Sequence, residues 1–168
     1  MLTEVSAISS LFKGKNLFEE INHLFYRKLG FKYCLIGNLS NGKKKMEVLA
    51  LCGAGKKLLD RDKKWAKILN EELLLMDSTN NFLMISSENN EQLANISSLA
   101  DQQISSLIRL KLYDTERNEI GTMCLLHDQP IKNKNHYSEL FSILRDWISK
   151  ELYRFRFESM LQETNYMH

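Results

Sequence analysis

Three cysteines, four histidines and one glycine-rich run ending in lysines are the residues of this chain whose types could do chemistry. A thiol serves as nucleophile or redox partner only as a thiolate that can meet a base or a second thiol. Cys34, Cys52 and Cys124 are widely spaced, each inside an apolar run, and read as reduced core thiols rather than a disulfide framework. His23, His127, His136 and His168 have no Cys or His at ligand spacing, so no metal site is expected. The run Cys52-Gly53-Ala54-Gly55-Lys56-Lys57 invites a phosphate-loop reading. A Walker loop needs Gly five residues before its Gly-Lys pair and Ser or Thr after it; those places hold Ala50 and Lys57, which leaves a flexible loop after a strand. No Ser-His-Asp or paired-carboxylate constellation stands out. No catalytic residue is assigned, and the domain reads as non-enzymatic.

The net charge of +2, from 23 basic and 21 acidic residues, creates no field that gathers phosphates. The densest basic run, Lys43-Lys44-Lys45, follows the turn pair Asn41-Gly42 and reads as a solvated hairpin tip, so nucleic acid is not an expected partner. No apolar stretch nears the ~18 residues that cross a bilayer, and the first residues lack the basic start and apolar centre of a signal peptide. A cytoplasmic protein without membrane insertion is expected. The 168 residues, with a single proline, suit one domain with a core of its own.

The elements that must position any site follow from periodicity. Val5, Ile8, Leu11 and Phe12 mark a helical segment over about residues 3–13. Leu17, Ile21 and Leu24, with Phe18 and Phe25 beside them, mark a second helix that Asn16 and Glu19 would open as a capping box and Gly30 would stop. Runs at Tyr33–Asn38 and Met46–Cys52 flank Asn41-Gly42, which suits a type I′ turn, and predict a hairpin. Both runs are apolar at consecutive positions, so helices are expected on both faces of the sheet. Residues 60–103 read as a mixed helical middle, in which Asn81–Ser86 suits a short strand and Leu93, Ile96 and Leu99 recur at helical spacing. Ile108, Leu110 and Leu112 alternate with Arg109 and Lys111, the period of a half-buried strand. A partner strand follows, with Ile120, Thr122 and Cys124 on one face and Met123 and Leu125 on the other. From Asn135, a plausible cap, a closing helix runs over about 136–163, roughly 28 residues and ~42 Å long.

In this order the chain resembles the GAF domain family. The resemblance rests on the closing hairpin and its Ile120-Gly121, on the aromatic-Ser-Glu step at Tyr137-Ser138-Glu139, and on Phe18 to Leu39 and Val48 to Gly55 for the first helix and hairpin. It runs from about Leu17 to Phe155, with Arg109-Leu110 where the family often carries Pro-Leu. It implies an α+β fold: an antiparallel sheet with helices on both faces and a long C-terminal helix, over a core of about 15–155. It also implies a sensory or regulatory input domain of a larger signalling protein, often one with a histidine kinase, diguanylate cyclase or phosphodiesterase as output domain. A chain ending at His168 fits an excised sensor fragment.

Family ligands sit between the sheet and the helical middle, so Tyr33, Cys52, Leu93, Ile96, Ile108 and Cys124 are the candidate lining of a small-molecule pocket. The alternative is that they only fill the core. No cofactor is specified. The Asn-Lys, Phe and acidic pair of cyclic-nucleotide members are incompletely matched by Asn133-Lys134, Tyr137 and Phe141-Ser142, and no cysteine is placed to attach a bilin. Some members reduce free methionine sulfoxide, a third reading that the strand-bound cysteines disfavour.

Helical geometry adds a last expectation. Turning ~100° per residue, Tyr137, Phe141, Leu144, Leu152 and Phe155 share a face with Ile148, whereas Tyr153, Phe157, Met160 and Leu161 fall on the opposite side. The second stripe predicts a homodimer interface on paired exit helices. The alternatives are packing on the N-terminal segment or folding back on the same domain. Two functions therefore compete: a ligand-responsive input domain and a ligand-free dimerisation module.

Overall fold

The computed structural model describes residues 2–39, 46–53, 56–57, 69, 82–86, 104–132 and 134–166. Leu17, Phe18, Ile21, Leu24 and Phe25 recur on one side of Lys15–Leu29 and are buried there, so this segment forms helix α2, behind α1 (Leu2–Leu11). Gly30 ends α2 in the left-handed conformation (φ 73°), its N–H donating to the Tyr26 carbonyl at 3.0 Å. The start differs from expectation. Gly14, at φ 63°, occupies the cap with no side-chain hydrogen bond, so α2 begins ahead of Asn16 and the capping box does not form.

Among the described residues six strands follow: β1 (Tyr33–Leu39), β2 (Met46–Gly53), β3 (Lys56–Lys57), β4 (Phe82–Ser86), β5 (Ser106–Tyr113) and β6 (Glu119–His127). They form one sheet in the order β3-β2-β1-β6-β5-β4, and all neighbours are antiparallel. Both expected hairpin pairings are present; the turn at Asn41-Gly42 lies outside the described residues. Lys56 and Lys57, expected in a loop, pair with Gly53 and Cys52 as a short edge strand. Helix α3 (Lys134–Tyr166) closes the chain, 33 residues or about 50 Å long. It already includes Asn135, the expected cap.

Two bulges break the strand alternation. Ile36 pairs with Ala50 and Gly37 with Val48, which leaves Leu49 as an extra residue; Leu112 pairs with Gly121 and Tyr113 with Glu119, which leaves Ile120. Ile120 therefore leaves the face of Thr122 and Cys124 and joins the cluster of Met123 and Leu125, a correction to simple alternation. One face of the sheet packs under α2 and α3, with Ile36, Ile108, Leu110, Met123 and Leu125 meeting Phe18, Phe25, Phe141, Leu144 and Ile148. Val5 and Ile8 of α1 join this cluster, and Trp147 Nε1 donates to Ser9 Oγ at 2.6 Å. The other face carries Leu35, Leu51, Leu107, Cys124 and Leu126, buried together with Leu69, whose backbone is helical. The fold is GAF-like α+β, with each strand of the sheet centre buried on both sides.

Candidate functional site

The second face of β5 and β6 holds the polar groups that the core does not explain. Alternation from Leu107 places Arg109 and Lys111 on that face, and register sets Leu107 beside Leu126, Arg109 beside Cys124 and Lys111 beside Thr122. Strand β1 extends the rows with Tyr33, Leu35 and Gly37. The half-buried strand expected for β5 is instead closed on both faces: Arg109 is 1% exposed and Lys111 3%. Sequence reasoning assigned these cations to solvent because long basic side chains are rarely buried whole. The alternation that placed them there was nonetheless the signal of a polar row.

The row is electrostatically ordered. Arg109 Nε donates to Thr122 Oγ1 at 3.4 Å, and Thr122 Oγ1 donates to the Leu110 carbonyl at 3.1 Å. Arg109 Nη2 lies 3.6 Å from Glu119 Oε1, which forms an ion pair between a buried guanidinium and a mostly buried carboxylate. Among the described residues no carboxylate pairs with Lys111. Burial pushes the Cys124 thiol up to about 12, with Arg109 acting in the opposite sense. Cys124 therefore offers no ready thiolate on this face.

The candidate pocket residues divide between the two faces. Tyr33 and Cys124 lie on the second face, whereas Cys52 and Ile108 point into the cluster under α2 and α3, and Leu93 and Ile96 lie outside the described residues. The division follows from strand parity, since Cys52 neighbours Leu51 and Ile108 neighbours Leu107, each on the opposite face. Arg109, Lys111 and Thr122 are the polar residues that the expected lining omitted.

The thiols divide in the same way. Cys34 and Cys52 are register partners on β1 and β2, both buried on the α2 side, with Cys52 Sγ 3.8 Å from His23 Nδ1. Burial, and to a lesser degree Cys52, holds the Cys34 thiol well above its usual range. His127 ends β6; its Nδ1 accepts from the Asp128 N–H at 3.0 Å, and its ring stands edge-on to Phe31. Among the described residues no group of three His, Cys, Asp or Glu could hold a metal ion, and no helix is long and apolar enough to cross a membrane.

Helix α3 ties the site's two strands to the exit of the fold. Phe141, Leu144, Ile148 and Leu152 are fully buried on the opposite side of β5 and β6 from Lys111. The Tyr113 N–H donates to Ser149 Oγ at 3.2 Å. A Cβ on Gly121 would stand 2.5 Å from Leu152 Cδ2 and 2.4 Å from the Gly37 carbonyl oxygen, so only glycine admits this approach. One turn on, Phe155 meets Phe18 edge-on at 5.7 Å. Arg156 donates to Asn38 Oδ1 at 2.8 Å, to the Ile120 carbonyl at 3.2 Å and to the Leu39 carbonyl. The first stripe thus grips its own domain as far as Arg156.

The second stripe does not. Tyr153, Phe157, Met160 and Leu161 are 42%, 52%, 58% and 49% exposed. Of the N-terminal segment, Val5 and Ile8 are buried in the domain core and Phe12 packs against the same cluster. A cleft of about 730 Å³ lies beside the stripe, between the β5–β6 turn and α3, lined by Tyr113, Arg117, Arg145, Ser149 and Tyr153 among others.

No family model matches the sequence, and no curated protein matches it. Solved structures do. The GAF domain of a protein assigned as a sensor histidine kinase from Pseudomonas syringae pv. tomato superposes with a TM-score of 0.64 at 10% identity, covering 95% of this chain and 89% of its own. The phycocyanobilin-bound GAF domain of a cyanobacterial phytochrome gives 0.64 at 11% identity and 94% coverage of each chain. A type II free methionine-R-sulfoxide reductase from Thermoplasma acidophilum gives 0.58 at 12% identity, covering 84% of this chain and 93% of its own. These likenesses establish a shared fold.

Proposed function

We propose that this GAF-like domain is a sensory or regulatory input module of a larger signalling protein. It binds a small molecule on the second face of its sheet and passes the change to an output domain through paired copies of α3. The observation that carries this reading is the double role of β5 and β6. One face of these strands buries Arg109 and Lys111, the other seats α3, and α3 then presents four apolar residues to solvent.

The coupling follows from the contacts. Glu119, the partner of Arg109, directly precedes the bulged Ile120, whose carbonyl accepts from Arg156 of α3. A ligand that draws Arg109 or Lys111 toward itself shifts the β5–β6 register near the bulge, and Arg156 and Leu152 carry that shift into the helix. A ligand moves such an equilibrium only by its differential affinity for the two arrangements. An exposed apolar face continuing from a packed helix suits a second copy of the same helix.

A catalytic role is disfavoured by the thiols, which are buried and, at Cys34 and Cys124, held as neutral sulfhydryls. The test of the output arm is cysteine crosslinking. In a parallel pair, Met160→Cys forms a covalent dimer under mild oxidation while Arg27→Cys, on the exposed side of α2, does not. Equal crosslinking at both positions, or at neither, would contradict the reading.

A further inference from the structure

We propose that the cleft between the β5–β6 turn and α3 is a ligand site of its own, and that it takes a small organic phosphate carrying a ring. This goes beyond the input-module reading, because the cleft is built by α3 and the turn rather than by the rows of Arg109 and Lys111.

A buried donor without an acceptor indicates ligand oxygens. Ser149 lines the cleft and is 8% exposed. Its Oγ accepts the Tyr113 N–H at 3.2 Å, but among the described residues nothing accepts its own proton. Elsewhere on α3, Ser142 and Ser159 donate to the carbonyls of Ser138 and Phe155, each at 2.9 Å. A hydroxyl carries one donor beside its lone pairs, and a buried donor left unmet opposes folding until a bound acceptor satisfies it.

Three cations share the lining: Arg145 and Lys150 from α3, and Arg117 from the turn. The turn is fixed. Asp114 Oδ1 accepts the N–H groups of Glu116 and Asn118 at 2.9 and 2.8 Å, and Arg117, in the left-handed conformation (φ 65°), donates its N–H to the Asp114 carbonyl at 3.1 Å. Of the two carboxylates in the lining, Asp114 is thus engaged within the turn, while the Asp146 side chain is 77% exposed and 4.0 Å from Arg145 Nε. Among the described residues Arg117 and Lys150 enter no ion pair. Guanidinium forks and an ammonium around a hydroxyl donor match the several oxygens of a phosphoryl group. The chain's net charge of +2 draws no phosphate from a distance, so recognition here is by contact.

The volume, about 730 Å³, exceeds a bare phosphate and leaves room for a body. Tyr113 and Tyr153 are the aromatic walls that suit a ring. Turning ~100° per residue, Asp146, Ser149, Lys150 and Tyr153 fall on the same side of α3 as Phe157, Met160 and Leu161. A molecule in the cleft therefore meets the start of the exposed apolar stripe at Tyr153, which belongs to both.

The experiment is a titration of the full chain followed by amide NMR, at constant ionic strength, with phenyl phosphate, inorganic phosphate or phenol up to about 20 mM. We expect phenyl phosphate to move the resonances of Arg117, Ser149 and Lys150 saturably, with a Kd below about 5 mM, and the other two probes to bind at least about threefold more weakly. Arg117→Asn keeps a residue that tolerates the left-handed conformation, and Lys150→Gln alters an exposed helix position. Together they should leave the rest of the spectrum unchanged and weaken phenyl phosphate at least about fivefold. Should the turn substitution disturb the fold, Lys150→Gln alone should still weaken it at least about twofold. No saturable shift at the cleft, shifts confined to the rows of Leu107 and Cys124, or an affinity untouched by the substitutions would overturn the proposal. Inorganic phosphate or phenol binding as tightly as phenyl phosphate would overturn the ligand class. Because the resonances report position, a cleft that fails to bind leaves the second-face reading standing.

Discussion

Arg156 of α3 donates a hydrogen bond to the carbonyl of Ile120 at 3.2 Å, and Ile120 is the extra residue of the bulge in β6. A bulge turns a carbonyl out of the ladder, and a guanidinium with several donors can collect it together with the Leu39 carbonyl and Asn38 Oδ1. Arg156→Ala should destabilise the domain by about 1–3 kcal/mol through these orphaned acceptors. Hydrogen exchange should show the last turns of α3 opening more readily while the first turns, held by Phe141 and Leu144, keep their protection. Uniform loss of protection along α3 would count against this anchoring.

Gly121 is where α3 comes closest to the sheet. Gly121→Ala forces its methyl group against Leu152, which can yield, and against the Gly37 carbonyl, which belongs to the neighbouring strand and cannot yield cheaply. A loss of about 1–3 kcal/mol is expected in chemical denaturation. Adding Leu152→Ala should restore only part of it, because the backbone clash remains.

Asn22 sits fully buried on α2, and among the described residues neither its amide oxygen nor its nitrogen has a hydrogen-bond partner. Unmet polar groups in a core oppose folding. Asn22→Leu, which keeps the branched shape and the number of side-chain heavy atoms, should therefore stabilise the protein by about 1–2 kcal/mol in thermal or denaturant unfolding. Destabilisation would show that the amide is needed where it lies.

Much of this arrangement is legible in the sequence, for identifiable reasons. The spacing of Tyr137, Phe141, Leu144, Ile148 and Leu152 announces both the long helix and its buried side, and the change of apolar face beyond Leu152 announces the exposed Tyr153 and Phe157. Gly30 stops α2 because its left-handed conformation suits glycine. The bulges at Leu49 and Ile120 are not legible, since an added residue in a ladder leaves no mark in composition. The burial of Arg109 and Lys111 is hidden for a different reason. Alternation gives the face on which a side chain stands, while what closes that face comes from residues distant in the chain, such as Leu69. The same limit divides the candidate pocket residues: similar apolar types sit on both faces, and only strand parity tells Cys52 from Leu51.

The thiol of Cys124 sets a pH dependence. Its folded value is raised by burial from 9.0 to about 12, so the folded state keeps the proton that the unfolded chain releases. The contribution is fully present below pH 9.0 and is lost as pH climbs toward 12. Compared with Cys124→Ala, the parent protein should lose more stability between those limits, as read by denaturant unfolding at each pH. Parallel curves would mean that the thiol ionises as freely in the fold as outside it.

The central claim is that the exposed side of α3 joins two copies of the chain. Truncation after Leu152 tests it poorly, because Phe155 and Arg156 hold the helix to its own domain. The direct measurement is light scattering coupled to gel filtration on the full chain and on the double substitution Phe157→Glu, Leu161→Glu, with circular dichroism as a check on folding. A dimer for the parent and a folded monomer for the substituted chain is the predicted result. A parent that runs as a monomer, or a dimer that survives both glutamates, would contradict the account.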